Sequence, residues 1–167
     1  MTPKIFFTYF AISMTFMSVM VITRRNPVHS VLWMIGLFFH IAAVYLFLNA
    51  EFLAAVQIIL YAGAIMVLFL FVIMMLNLRE EIVAPRFIGE WPIGVALGIA
   101  IITMIIHSVF TIQPGPAGEY TIETIQKMTH AKAIGSLLYT KYVFPFEIAS
   151  LVLLVAVVGA IVLAKKR

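Results

Sequence analysis

The sequence predicts an all-α integral membrane protein with five transmembrane helices. Three observations predict it. Hydrophobic residues fill 64 % of the 167 positions and charged residues only 11 %, against roughly 45–50 % and about 25 % in soluble domains. Too few polar groups remain to clothe a water-facing surface. The apolar residues fall into five runs, 5–22, 28–48, 52–76, 92–112 and 144–164. Each is near the length of about 20 residues that crosses a roughly 30 Å hydrocarbon core. The runs also lack the alternation of membrane barrel strands, and a helix satisfies its own backbone in lipid.

The same arithmetic excludes other classes. A soluble enzyme, a disordered tail and a nucleic-acid-binding domain all need more polar surface. The net charge of +4 sets eleven Lys and Arg residues against seven Asp and Glu, and the cations are spread between the apolar runs, so they form no basic face. No cysteine is present, which removes disulfides, thiolate metal sites and thiol chemistry from this chain. The whole of 1–167 reads as one membrane domain.

The elements follow in order. The first run lies after Lys4 and ends at Thr23-Arg24-Arg25. It resembles a signal-peptide core, but it has no small-x-small cleavage site and is expected to be retained. Pro27 in Arg24-Arg25-Asn26-Pro27 separates it from the second run. Asn49-Ala50-Glu51 is so short a link that the second and third helices should form a tight antiparallel hairpin. A polar link opens at Arg79-Glu80-Glu81 and runs through Pro85 and Arg86 to Glu90. The long extracytoplasmic loop 113–143 begins with turn chemistry, Gln113-Pro114-Gly115-Pro116. Its mixed stretch from Thr121 to Tyr142 leaves room for part of it to fold against the membrane surface.

Orientation follows from the cations. With five crossings, Arg24, Arg25, Arg79, Arg86, Lys165, Lys166 and Arg167 share one side, and Lys4, Lys127, Lys132 and Lys141 the other. The richer side should be cytoplasmic, with the N-terminus outside and the C-terminus inside.

Ionisable groups at membrane depth are costly and mark functional sites by default. Here they are sparse. The second, third and fourth runs contain no Asp, Glu, Lys or Arg. His40 reads as a satisfied core or interhelix hydrogen-bonder, with a proton relay as the alternative. Glu147 follows Phe144-Pro145-Phe146 at the start of the fifth run. It is either an interfacial charge favoured by the helix dipole or a coupling group. Glu51, in the hairpin link, reads as a solvated charge. One chain with this inventory cannot line a continuous proton path. It should pack among partners and borrow their polar groups.

The third run is the most informative. Its twenty-five residues make a helix of about 37 Å at about 1.5 Å each, longer than the hydrocarbon core, so tilt or local irregularity is expected. Gln57 and Tyr61, four apart, are expected to share a face. The cluster Ala62-Gly63-Ala64 follows at mid-membrane. Small residues admit a close neighbour, and glycine tolerates a change of winding such as a π-bulge. Packing alone explains the cluster. A hinge also explains it, since a one-residue change of winding rotates all that follows by roughly 100° and would swing Val67 and Phe69 to another face.

Several stretches resemble a known family. They are Asn26-Pro27-Val28-His29-Ser30, Ala50-Glu51-Phe52-Leu53-Ala54, the run from Gln57 through Tyr61-Ala62-Gly63-Ala64-Ile65 to Phe69, and Val72-Ile73-Met74-Met75-Leu76-Asn77. Tyr142-Val143-Phe144-Pro145-Phe146-Glu147 and Val158-Gly159-Ala160-Ile161 belong with them. Together they are similar to subunit J of bacterial NADH–quinone oxidoreductase, the complex I chain corresponding to mitochondrial NADH dehydrogenase subunit 6. The resemblance covers nearly the whole chain, and Tyr-Ala-Gly-Ala-Ile is its specific part.

The resemblance implies a non-redox subunit of a proton-translocating enzyme in a bacterial inner membrane. It implies membrane-arm partners, especially A, K, H and the antiporter-like N. The chain would lie beside A and K, between the quinone site and the pumps. The parent complex would use NADH, FMN, iron–sulfur clusters and a quinone, with no cofactor or metal in this chain and no nucleic acid. The third helix would switch between a π-bulge and a regular helix near Tyr61 and Gly63, with Gln57, Ala62, Ala64 and Val67 in the hinge. That switch would open and close a water path on the coupling axis. Glu51 and Glu147 are lesser candidates as neighbours of a proton path. Some members carry Glu where this chain has Gln57, whose amide does not titrate. The alternative is a purely structural assembly subunit of the same complex or of a related ferredoxin-fed one.

Overall fold

The computed structural model of the protein describes residues 3–76, 91–111, 115 and 121–165. Among these residues the chain is helical and contains no strand. Five helices are long and apolar enough to span a membrane, at the places the hydrophobic runs predict. They are α1 (Pro3–Thr23), α2 (Pro27–Phe47), α3 (Glu51–Met75), α4 (Trp91–Thr111) and α7 (Val143–Ala164). Two shorter helices, α5 (Ile122–Met128) and α6 (His130–Thr140), occupy the stretch expected as loop. The polar link 77–90, most of the turn at 113–118, and Lys166 and Arg167 lie outside the described residues. The chain divides into two compact units, Met1–Gly118 and Glu119–Arg167.

In the first unit, α1 packs against α2 and α2 against α3. Hydroxyls on α1 satisfy themselves. Thr8, Thr15, Ser18 and Thr23 each donate to the carbonyl four residues back, at 2.8, 2.7, 2.8 and 2.7 Å. This lets polar side chains sit in a lipid-facing helix at little cost. The contact between α1 and α2 is aromatic. Phe6 and Phe10 meet Phe47 with ring centroids 4.6 and 5.5 Å apart, and Phe16 meets Trp33 edge-on at 5.8 Å. Lipid tails are as apolar as these side chains, so the gain on packing is dispersion and ring geometry rather than escape from water.

The links are built from specific caps. Asn26 Oδ1 accepts the Val28 N–H at 2.9 Å, and Pro27, which has no N–H to leave unpaired, occupies the first turn of α2. At the other end of α2, Asn49 adopts a φ of 56°. The Asn49 N–H then reaches Leu46 O at 3.0 Å and the Ala50 N–H reaches Tyr45 O at 2.8 Å. This is a Schellman cap with Asn in the left-handed position usually held by glycine. It turns the chain back within residues 48–50 and sets the α2–α3 hairpin.

In the second unit, α5 packs on α6 and α6 on α7. Thr121 Oγ1 caps α5 by accepting the Thr124 N–H at 3.3 Å. Between α5 and α6, Thr129 has a φ of 69°, a strained backbone for a β-branched residue. Ala133 is the buried residue of α6, and Tyr139 meets Phe146 of α7 edge-on at 5.3 Å.

Candidate functional site

The third helix changes winding along its length. It is α-helical over Glu51–Val56, π-helical over Gln57–Ile65 and α-helical again over Met66–Met75. Nine residues of π winding go well beyond the single-turn bulge that is usual for such features. The Met66 N–H closes the segment by donating to Tyr61 O, five residues back.

The winding is read in the burial pattern. The buried residues of α3 are Ala54, Gln57, Ala62 and Met66, followed on the same line by half-buried Leu70 and Ile73. The steps along this line are three, five, four, four and three. A regular helix returns to a face every three or four residues. The single five-residue step, from Gln57 to Ala62, coincides with the π segment and carries the extra residue. Gln57 and Tyr61, expected to share a face, are buried unequally. Gln57 is 7 % exposed and Tyr61 45 %. Ala62, 8 % exposed, takes the next place on the packed line, and Tyr61 stands beside it.

Tyr61 is not loose. Its ring meets Phe38 of α2 edge-on, with centroids 5.7 Å apart. Gly63 occupies a tight spot on the backbone. A Cβ built there would lie 3.3 Å from Ile58 O, the carbonyl five residues back that π winding brings under it. Ala64 and Val67 are exposed. Glu51 opens α3, in its first turn and exposed, which is favourable at a helix N-terminus. Glu147 is exposed on α7 in the second unit. His40 lies on α2 with Nδ1 3.0 Å from Gly36 O, beside the rings of Tyr9 and Phe10 at 6.2 and 5.9 Å.

Thus Gln57, Tyr61, Ala62, Gly63, Ala64 and Val67 fall in or just beyond one stretch of altered winding. Glu51 sits at the other end of the same helix, and Glu147 belongs to a different unit. Two participants escaped the sequence reading, Phe38 and Met66. The signal for Phe38 was the short link. A hairpin folded about residue 49 pairs positions equidistant from it, which sets Tyr61 opposite 37–38. No local signal marked Met66, whose burial depends on where the extra residue is inserted.

No group of three or more His, Cys, Asp or Glu able to hold a metal occurs among the described residues. The sequence offers no thiolate to an iron–sulfur cluster. The distinguishing feature is geometric: one extra residue is inserted in the buried line between Gln57 and Ala62.

Comparison with known proteins bears on what this helix serves. The family described as NADH-ubiquinone/plastoquinone oxidoreductase chain 6 matches residues 17–163. NADH-ubiquinone oxidoreductase chain 6 of Marchantia polymorpha is 37 % identical, covering 98 % of this chain and 87 % of the relative. NADH-quinone oxidoreductase subunit J of Rhodobacter capsulatus is 34 % identical, covering 100 % and 84 %. The chain 6 protein of Chondrus crispus is 38 % identical, covering 98 % and 83 %. Since likeness at this level runs along the whole chain and takes in the spans, their links and the π segment, the chain belongs to the NADH-ubiquinone/plastoquinone oxidoreductase chain 6 family.

Proposed function

We propose that this chain is the subunit J component of the membrane arm of a proton-translocating NADH–quinone oxidoreductase, and that it couples quinone reduction to proton pumping by rewinding its third helix. The supporting observation is the five-residue step from Gln57 to Ala62 on the α2-facing line. If the π segment became α-helical, the line beyond Gln57 would move back by one residue. Tyr61 and Ile65 would turn toward α2, while Ala62 and Met66 would turn away. Small Ala62 would be exchanged for the larger Tyr61, and flexible Met66 for the stiffer, β-branched Ile65, with Phe38 already against Tyr61. An exchange of this kind opens or closes a gap between helices without moving a charge.

In this reading the redox chemistry stays on other chains, which hold the NADH site, FMN, iron–sulfur clusters and quinone. The neighbours are A, K, H and the antiporter-like N. The large exposed apolar faces of α4 and α7, which bury none of their residues in this chain, suit contact with such neighbours and with lipid. The cation distribution supports an extracytoplasmic N-terminus and a cytoplasmic C-terminus.

A second reading has one observation in its favour. The spans carry few ionisable groups at depth, as expected of an assembly subunit of this complex or of a ferredoxin-fed relative. The proton-to-electron ratio of the complex in sealed vesicles separates the two. Tyr61→Ala removes the ring that the rewinding would carry toward α2. A lowered ratio in a fully assembled complex supports coupling, and an unchanged ratio supports the assembly role. The proteins that co-purify in mild detergent identify the electron donor.

A further inference from the structure

We propose that the turn between α1 and α2 holds the headgroup of an anionic glycerophospholipid. The two helices have twenty-one residues each, about 31 Å at about 1.5 Å per residue, so each just crosses the hydrocarbon core. Residues 24–26 between them therefore stand at headgroup level. Two cations lie there, Arg24 and Arg25, both exposed and with no carboxylate partner among the described residues.

Arg24 is held rather than free. Its Nη2 donates to Met20 Sδ at 3.0 Å, and its guanidinium lies 5.8 Å from the Trp33 ring centroid. These two contacts restrain the guanidinium and leave its remaining N–H groups for a phosphate, which arginine binds through paired hydrogen bonds. Directly beside it is a shallow cavity of about 340 Å³ lined by His29, Leu32 and Trp33. The positive end of the α2 dipole adds to the same field.

The surface below the cations fits acyl chains and not a polar partner. Leu32, Phe39 and Leu46 repeat every seven residues down α2 and are 54, 50 and 54 % exposed. His29 to Phe39 is ten residues, about 15 Å, the depth of one leaflet's hydrocarbon. Cations above an aromatic shelf above an apolar track reproduce the order of phosphate, glycerol and chain in a lipid. Two arginines with no carboxylate partner among the described residues favour a headgroup with net negative charge over a zwitterionic one.

The test uses the intact complex in membranes doped with photoactivatable phosphatidylglycerol or, separately, phosphatidylcholine of the same chains. Labelled peptides are mapped by mass spectrometry. Phosphatidylglycerol should label the 24–39 region in preference. Arg24→Gln and Arg25→Gln should each lower that labelling by about fivefold, the effect of one arginine near a charged surface, while Arg24→Lys, which keeps the charge and loses the paired donors, should fall between. In the unmodified complex, 1 M salt should bring phosphatidylglycerol labelling down toward the phosphatidylcholine level, which keeps the test decisive if a variant does not assemble. Equal labelling by the two lipids, indifference to both salt and arginine, or crosslinks from 24–33 to another polypeptide in place of lipid would each overturn the proposal.

Discussion

Replacing Gly63 by valine is the sharpest perturbation of the third helix. A Cβ at this position would approach Ile58 O to 3.3 Å, tighter than a comfortable carbon–oxygen contact, and the oxygen belongs to the helix backbone. Valine adds two further carbons on a stiff, β-branched side chain. Overpacking of this kind costs about 1–3 kcal/mol. The penalty falls on the π winding, because that winding places the Ile58 carbonyl beneath residue 63. A differential of about 2 kcal/mol changes the balance between two windings by roughly 30-fold. If coupling uses both, biasing the helix toward one of them must impair it. In sealed vesicles the proton-to-electron ratio should fall, while quinone-linked electron transfer and subunit composition persist. Gly63→Ala, with a single methyl, should fall between valine and the natural residue. A fully assembled Gly63→Val complex that pumps at the normal ratio would refute the reasoning.

Other expectations concern the links. Asn49→Val places a β-branched residue at a φ of 56° and should destabilise the α2–α3 hairpin by about 1–2 kcal/mol. Asn49→Gly should be neutral, and thermal inactivation of the complex orders the three. Asn26→Ala removes the 2.9 Å cap on the Val28 N–H, at a cost of about 1 kcal/mol. Amide hydrogen exchange at Val28 should quicken, and Asn26→Asp should restore protection. Thr129→Gly relieves the backbone at a φ of 69° and should stabilise the second unit by about 1 kcal/mol, read as slower exchange in the first turn of α6.

The five spans were legible because membrane thickness dictates their length and lipid dictates their composition. Pro27 and the short link 48–50 carried their own stereochemistry, so those boundaries fell within a residue or two. The helices α5 and α6 were not legible. Their segments are short and mixed, and a hydropathy argument tuned to twenty apolar residues passes over them. Ala62-Gly63-Ala64 located the irregularity in α3 without giving its extent. Whether π winding starts at Gln57 and ends at Ile65 depends on which residues α2 will accept in its groove, and that lies in the neighbouring helix rather than in local composition. The four-residue spacing of Gln57 and Tyr61 carried no sign that Ala62 rather than Tyr61 would continue the buried line.

The Asn49 cap gives the third helix a fixed bearing at one end. The chain is clamped by two backbone hydrogen bonds within two residues of where the helix begins. Any torque from a slipped turn at mid-span must then travel away from the clamp, toward Met75. Under the proposed rewinding the helix would work as a crankshaft held at the hairpin, with its stroke delivered at the opposite face of the bilayer.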